Sequence, residues 1–468
     1  MWAPNARSVS VLGHELERGD DGVFSGTVEA RPRDDYRFRL DGDEWPDPCS
    51  RSQPHGVRGP SRIVDTSAFD IRSGPRLDAL VIYELHVGTF SREGTFDGAT
   101  PRLEELAAAG VTAIEVMPVA TFPGERGWGY DGLYTSAPHP AYGGPDGLAR
   151  FVDAAHGAGL GVILDVVYNH VGPGDEALAA LGPYFTKRHE TFWGKAIDYT
   201  QRGVREWALQ NAELWVRDYK VDGLRLDAVH AIFDDESPLH ICAELKQRVA
   251  DAIVVSEMEI GNLRPIEEWS HDAQWEDSLH HALHALLTGE RDGYYERYGS
   301  IEEVARELRR SEPRFVACAQ NHDQVGNRAL GDRLTPEQDR VALSAVLFSR
   351  STPLAFMGEE YGETRPFQFF TDHIDPAIAA ATREGRKQEF ERFDSFRGEV
   401  PDPQAEETFL HSKLDPRPVA QWFRDAVALR RELPDELEVE VLDDHRLVAR
   451  RGRHTLTLDF DRLTADRS

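Results

Sequence analysis

The sequence has little cysteine and no long apolar stretch. Its three cysteines, Cys49, Cys242 and Cys318, lie far apart and form no CxxC pair, so neither a disulfide framework nor a zinc knuckle is expected. No apolar run approaches the roughly 18 residues that a membrane-spanning helix needs, and the first residues lack the basic-then-apolar order of a signal peptide. The sequence therefore predicts a cytoplasmic protein without a membrane partner.

Lysine is also scarce, whereas acidic residues are abundant. The chain contains 82 Asp and Glu against 53 Lys and Arg, for a formal net charge of −29, and only six of those bases are lysines. Such a surface repels nucleic-acid phosphates and anionic lipids, because both bind to clustered positive charge. Nucleic acid and membranes are therefore not expected as partners, and a neutral sugar polymer fits better.

The pattern of short apolar runs indicates an α/β fold with appendages at both ends. Residues 1–76 show short alternating segments broken by Gly, Asp and Pro, which is typical of a small β-sandwich. In residues 77–432 apolar β-branched runs alternate with amphipathic segments, and residues 433–468 form a short β-like tail. The strand–helix rhythm repeats eight times, which predicts a closed (β/α)8 TIM barrel rather than an open sheet.

The predicted barrel has one strand per repeat and ends with a helix over Val419–Glu432. The eight predicted strands are Leu80–Thr89, Ala113–Pro118, Gly161–Asn169, Gly223–Ala228, Ile253–Glu257, Ala273–Trp275, Phe315–Asn321 and Leu354–Met357.

Polar residues cluster at the ends of four of these strands, where a barrel places its working side chains. Asp227, Glu257 and Asp323 end the fourth, fifth and seventh runs, and His170 and His322 accompany them. A lone Asp at a strand end is usually a turn residue, and a lone His is usually a satisfied core or surface group. The whole set in this order is much harder to explain by chance, so we predict an active site on this rim.

These residue types suit retaining glycoside hydrolysis, which uses two carboxyl groups about 5 Å apart. Asp227 follows Arg225 by two residues, so both side chains point to the same side of a strand, and the guanidinium would keep the carboxylate ionised as a nucleophile. Partial burial near other carboxylates would keep Glu257 protonated as a general acid. Asp323 would then hold sugar hydroxyls and help distort the ring.

Four segments resemble the signature regions of the α-amylase superfamily of retaining glycosidases. On this resemblance Asp227 is the nucleophile, Glu257 the acid/base and Asp323 the transition-state stabiliser, and Trp2-Ala3-Pro4-Asn5-Ala6 looks like the start of a carbohydrate-binding-type sandwich. The four segments are Asp165-Val166-Val167-Tyr168-Asn169-His170, Gly223-Leu224-Arg225-Leu226-Asp227, the segment ending at Glu257, and Asn321-His322-Asp323.

Further segments resemble the trehalose-releasing group of that superfamily, among them the double histidine His280-His281 and the run Phe369-Phe370-Thr371-Asp372-His373. The branching enzymes of the superfamily are expected to lack both. The resemblance implies a malto-oligosyltrehalose substrate, made by a partner synthase, and hydrolysis of the bond next to its terminal trehalose. A branching enzyme, an α-amylase and a non-catalytic glucan-binding protein remain the alternatives. The segments include Gly127-Trp128-Gly129-Tyr130-Asp131-Gly132, His280-His281-Ala282-Leu283-His284 and Pro366-Phe367-Gln368-Phe369-Phe370-Thr371-Asp372-His373.

The predicted substrate-binding residues surround the carboxylates. The aromatic residues among them could stack on glucose or simply pack in a loop, and we favour stacking. His280 and His284 are one helical turn apart, but no third ligand is evident, so we predict no bound metal and no cofactor. The predicted binding set is Arg225, His170, His322, His230, Trp128, Tyr130 and Asp131.

The charge composition generates a prediction about salt. A surface rich in acids and poor in lysine suits high salt, where screening removes self-repulsion, although a GC-rich genome that favours Arg over Lys would give a similar composition. We expect both activity and thermal stability to fall in dilute buffer and to recover at molar KCl, measured as initial rate and Tm across a salt series. Full activity in dilute buffer would favour the genomic explanation.

Overall fold

A computed structural model describes residues 1–191, 193–391 and 399–468, with Glu391 described by its backbone alone. Its N-terminal part is built from antiparallel strands, as the sequence predicts. This region contains a four-stranded sheet and two separate strand pairs. The strands of the sheet lie side by side in the order His14–Glu15, Val9–Val11, Phe38–Leu40 and Asp43–Trp45. The pairs are Glu17–Arg18 with Phe24–Ser25 and Asp35–Tyr36 with Ser61–Arg62.

Eight parallel strands close into a barrel, which confirms the predicted fold class. Each strand pairs in parallel with the next, and the eighth strand pairs with the first, so the sheet has no free edge. The strands are β1 Ile82–Leu85, β2 Ala113–Val116, β3 Gly161–Val166, β4 Gly223–Leu226, β5 Ile253–Ser256, β6 Ala273–Trp275, β7 Phe315–Cys318 and β8 Thr352–Phe356.

Amphipathic helices surround the barrel and connect its strands. The last of them occupies the region predicted for the final barrel helix. They are α1 Leu103–Ala109, α2 Gly144–Gly157, α3 Arg202–Glu213, α4 Ile241–Arg248, α5 Ser278–Thr288, α6 Ile301–Arg310, α7 Pro336–Phe348 and α8 Gln421–Arg430.

Several of the strands end earlier than the sequence pattern suggests. β3 stops at Val166 and β7 stops at Cys318, whereas the predicted strands extend to Asn169 and Asn321. The Asn321 side chain instead accepts a hydrogen bond from the backbone N–H of Gln324 and caps the helical turn His322–Gly326. The catalytic-rim residues of these two runs therefore lie beyond the strand ends, above the sheet.

The barrel interior changes from apolar to charged along its axis. Its apolar part includes Ile163, Val255 and Trp275, which belong to one buried cluster. Nearer the carboxyl ends of the strands the inward side chains are charged, and Asp165 of β3 lies opposite Arg225 of β4 in the parallel ladder. The active-site rim therefore rests on a buried layer of charge.

Loop elements and a terminal sheet complete the architecture. The predicted boundaries near residues 76 and 432 fall outside the barrel strands and stay predictions. Among the described residues no helix is long and apolar enough to span a membrane. The additional elements are the strand pairs Ala120–Thr121 with Tyr134–Pro138 and Phe185–Thr191 with Gly194–Ile197, the helices Val87–Phe90, Phe96–Ala99, Glu176–Leu181, Arg264–Glu267, Pro376–Glu391 and Glu406–His411, and a C-terminal antiparallel sheet of Glu438–Val441, Arg446–Arg451, His454–Asp459 and Thr464–Arg467.

Candidate active site

The guanidinium of Arg225 is the centre of the site. Its side chain is 0% exposed, and Nη1 donates hydrogen bonds to Asp165 Oδ2 at 2.8 Å and to Asp227 Oδ1 at 2.9 Å. Nη2 donates to Glu257 Oε2 at 2.6 Å, and the guanidinium lies 4.1 Å from the centre of the Trp275 ring. One buried cation thus holds carboxylates from three consecutive strands in charge-assisted hydrogen bonds.

The turn after β4 aims backbone as well as side-chain groups at Glu257. Ala228 adopts a left-handed conformation with φ of +40°, which is unfavourable for a residue with a Cβ. In this conformation its N–H donates to Glu257 Oε2 at 3.0 Å. The Asn169 amide donates to Asp227 Oδ2 at 2.8 Å, so each of the two carboxyl groups has a second fixed donor beside Arg225.

His322 is held as a doubly protonated imidazolium. Its Nδ1 is 2.5 Å from Glu84 Oε1, and its Nε2 is 2.7 Å from the Tyr130 hydroxyl, which donates its own proton to Asp165 Oδ2 at 2.6 Å. Burial alone would lower the pKa of His322, but the carboxylates of Asp323 and Glu84 raise it to about 10. The cation lies 3.4 Å from Asp323 Oδ2 and orients that carboxylate.

His170 lies on the other side of Tyr130. Its Nδ1 contacts the Asn169 side chain, and its Nε2 donates to the Tyr130 carbonyl oxygen at 3.1 Å. Burial lowers the pKa of His170 to about 4. The ring stacks on Trp193 with centroids 5.3 Å apart, and Trp193 is exposed, so this pair forms part of the site wall.

Asp131 follows Tyr130 at the edge of the site. It lies 3.9 Å from His373 Nε2, and burial raises the pKa of its carboxyl group despite the neighbouring His373 and His170. This contact joins the loop after β2 to the segment after β8.

Two other predicted binding residues occupy contrasting positions. Trp128 is only 5% exposed, stacks on Phe367 at 5.1 Å, and donates from its indole N–H to the Gln368 carbonyl oxygen at 2.9 Å. This geometry favours the packing alternative, in which Trp128 supports His322 edge-on at 5.8 Å rather than stacking on a sugar. His230 is exposed on the turn after Ala228, where a ligand can reach it.

The structure adds two carboxylates that the sequence interpretation did not select. Glu84 of β1 holds both the backbone N–H and Nδ1 of His322. Asp277 lies near Glu257 and Asp323, and burial together with these two carboxylates raises its pKa to about 7. The alternation that places Arg225 and Asp227 on one face also places Trp275 and Asp277 on one face, so the same rule could have identified Asp277.

The paired histidines of α5 form hydrogen bonds within the protein. His280 donates from Nδ1 to the Ala319 carbonyl oxygen at 2.6 Å, and its Nε2 is 3.1 Å from the Tyr295 hydroxyl. His284 Nε2 contacts Glu290 at 3.0 Å. In the part of the chain that the structure describes, no group of three or more His, Cys, Asp or Glu side chains is arranged to hold a metal ion.

The arrangement fits a two-carboxylate mechanism. Asp227 binds to Nη1 and Glu257 to Nη2 of the same guanidinium, so the two carboxyl groups are held close together. This suits the distance of about 5 Å between the carboxyl groups of retaining glycosidases better than the roughly 6.5–9.5 Å of inverting enzymes. Both Glu257 hydrogen bonds fall on Oε2, and within the described chain Oε1 has none. That oxygen can therefore carry a proton toward a substrate.

The imidazolium generates a pH prediction. Because the folded pKa of His322 is raised from 6.5 to about 10, its ion pairs contribute stability that is complete below about pH 6.5 and is lost as the pH rises through about 10. We expect His322→Gln to destabilise the protein strongly at pH 7 and less at pH 10.5, measured by urea unfolding of both proteins. A difference that stays constant across this range would show that His322 is neutral in the folded protein.

Comparisons with known proteins show which enzymes this chain is similar to. The family model for the alpha-amylase catalytic domain matches residues 44–180. A malto-oligosyltrehalose trehalohydrolase of Saccharolobus solfataricus is 41% identical, with 92% of this chain and 84% of the relative covered. The enzyme of that name from Deinococcus radiodurans is also 41% identical, over 93% and 81% of the two chains.

A solved structure agrees with this placement. A 1.4 Å crystal structure from Salmonella typhimurium, assigned as an alpha amylase, superimposes with a TM-score of 0.89 at 37% identity and covers 98% of this chain and 90% of that one. Since two relatives share about two fifths of their residues over most of both lengths, the chain belongs to the malto-oligosyltrehalose trehalohydrolases, a family of α-amylase-type glycoside hydrolases.

Proposed function

We propose that this protein hydrolyses the α-1,4-glucosidic bond next to the terminal trehalose of a malto-oligosyltrehalose and releases trehalose and a maltodextrin. The observation that carries the proposal is the Arg225 cluster, which holds the carboxyl groups of Asp227 and Glu257 side by side in a chain of this family. The reaction is a double displacement in which the sugar keeps its α configuration.

In the first step Asp227 attacks C1 of the glucose that is joined to trehalose. Its Oδ1 is held by Arg225 and its Oδ2 by Asn169, so the attacking carboxylate is fixed and cannot rotate away. The bond between C1 and the leaving oxygen breaks as a glycosyl–Asp227 ester forms. Glu257 donates a proton to that oxygen, and free trehalose departs.

In the second step Glu257 accepts a proton from water, which attacks C1 and breaks the ester. The same residue thus acts first as an acid and then as a base. The two donors on Oε2 fix the carboxyl plane in both steps, while Oε1 exchanges the proton. The second displacement restores the configuration at C1 and frees the maltodextrin.

The residues around the carboxylates hold the reacting glucose. Asp323 binds its hydroxyls and stabilises the distorted ring, and the His322 imidazolium beside it carries the compensating charge. Tyr130, His170 and Asp131 lie beside this network, with Arg225 beneath Tyr130 and Trp128 behind His322. His230, on the exposed turn after Ala228, is proposed to contact the substrate from there.

Two variants test the assigned roles. We expect Asp227→Ala and Glu257→Gln each to lower kcat by at least about 10³-fold with the fold retained, because each removes a group that bonds to the reacting atoms. Glu259→Gln, an exposed glutamate two residues beyond Glu257, is the matched control. Rates come from trehalose release, and circular dichroism checks the fold.

Azide sharpens the same test. Added azide can replace the missing carboxylate of Asp227→Ala and should yield a β-glycosyl azide, since it attacks from the nucleophile's side. A near-normal rate in either variant would overturn the assignment.

Product analysis separates the proposed function from its rivals. Maltotriosyltrehalose and, separately, maltopentaose are incubated with the protein, and the released sugars are identified by chromatography. We expect free trehalose from the first substrate and at least about 100-fold slower cleavage of the second, because a pocket built to hydrogen-bond trehalose leaves polar groups unpaired with maltose. Random cleavage of both would indicate an α-amylase, and longer chains would indicate a branching enzyme.

The substrate implies a second enzyme in the same compartment. A synthase must first convert the reducing end of a maltodextrin into a trehalose unit, because the α-1,1 linkage is absent from ordinary α-1,4-glucans. We propose that the two enzymes act in sequence in the cytoplasm.

A further inference from the structure

The helix Pro376–Glu391, which follows the last barrel strand, reaches back to the loop after β7 through one buried arginine. Arg386 is 9% exposed, and its Nη2 donates to the carbonyl oxygen of Gly326 at 2.8 Å and to that of Arg328 at 3.1 Å. These two carbonyls lie about sixty residues earlier in the chain. The contact therefore joins two separate connections of the barrel.

Arg386 binds the last carbonyl of the turn that carries catalytic-rim residues, together with a carbonyl two residues beyond that turn. His322–Gly326 is a single helical turn, and the last carbonyls of a helix have no partner within it. A cation at this end also opposes the partial negative charge of the helix terminus. Arg386 supplies the donor to the Gly326 carbonyl and the charge, and it shares the Arg328 carbonyl with the backbone N–H of Gly331.

Asp323 lies at the start of the same turn. Its backbone oxygen accepts from Asn327 N at 3.0 Å, and its Oδ1 accepts from Asn327 Nδ2 at 3.0 Å. Asn327 stands between Gly326 and Arg328, the two residues whose carbonyls Arg386 holds. A shift of these carbonyls would therefore move Asn327 and, with it, the Asp323 carboxylate.

The surroundings of Arg386 restrict its own movement. The guanidinium lies 4.6 Å from the ring centre of Phe390 and 5.3 Å from that of Phe369, and Nη1 donates to Glu389 at 2.9 Å. Phe369 in turn packs edge-on against Trp128 at 5.2 Å, the residue that supports His322. Arg386 is thus fixed against Phe369, which packs on Trp128 directly behind the site.

We propose that Arg386 is a positioning residue for the reaction, and that it acts through Asp323 by holding the carbonyl end of the 322–326 turn in place. The inference rests on the proposed function only in assigning Asp323 to the reacting sugar. It makes helix Pro376–Glu391 a part of the catalytic apparatus although Arg386 touches no substrate.

The test compares Arg386→Gln, Arg386→Lys and the control Arg383→Gln in the full chain. Arg383 is on the same helix but half exposed, and within the described residues its ion-pair partner is Asp402. We expect Arg386→Gln to lower kcat about 10- to 100-fold with KM changed less than about 3-fold, because misplacing a group by an ångström costs on this order. Arg386→Lys should recover part of the loss, and Arg383→Gln should match the parent.

A second background separates positioning from general stability. In Asp323→Asn no carboxylate remains to be positioned, so adding Arg386→Gln should slow single turnover by less than about 3-fold. An equal loss in both backgrounds, or a loss in the parent of less than 2-fold, would overturn the proposal. Circular dichroism and Tm of each variant show whether a loss of activity comes from unfolding. If Arg386→Gln unfolds, Arg386→Lys is used in its place in both backgrounds, because it keeps a cation at this position.

The substrate keeps the two proposals distinguishable. If the parent cleaves maltopentaose but releases no trehalose, the proposed function fails, and the same Arg386 comparison is made with maltopentaose. If the parent releases trehalose but the Arg386 effect is additive with that of Asp323→Asn, the positioning proposal alone fails.

Discussion

The site depends on one buried cation with three carboxylate partners. Arg225 is fully enclosed, and an unpaired guanidinium there would be strongly unfavourable, so the ion pairs to Asp165, Asp227 and Glu257 are a condition of folding as well as of catalysis. The planar fork gives each partner a fixed direction, which a lysine could not reproduce. Catalytic geometry is thus set when the barrel closes.

A second charge pair completes this layer from the opposite side of the barrel. Glu84 of β1 holds the His322 imidazolium, and Tyr130 links that ring to Asp165 and so to the Arg225 cluster. Each charged group of these two clusters has an opposite charge or a donor beside it, and the carboxylates that face the substrate are the more exposed ends of the network. The reactive carboxyl groups are therefore oriented by buried groups that are themselves paired with one another.

The fold followed from periodicity, since eight apolar runs with polar ends leave few alternatives to a closed parallel barrel. Arg225, Asp227, Glu257 and His322 lie together because strand ends of one barrel meet on one rim. The burial of Trp128 could not be predicted, because it depends on Phe367, some 240 residues away in the sequence. The ends of β3 and β7 were also missed, since Asn321 caps a helical turn only once the strand stops.

The left-handed Ala228 has a consequence for engineering. Its conformation is disfavoured by about 1 kcal/mol or more, yet it directs an N–H at the acid/base oxygen. A stabilisation programme that replaces strained residues by glycine would select this position early, because glycine removes the steric conflict. The same replacement would loosen the turn between the nucleophile and the acid/base, so heat resistance and turnover are opposed at this one residue.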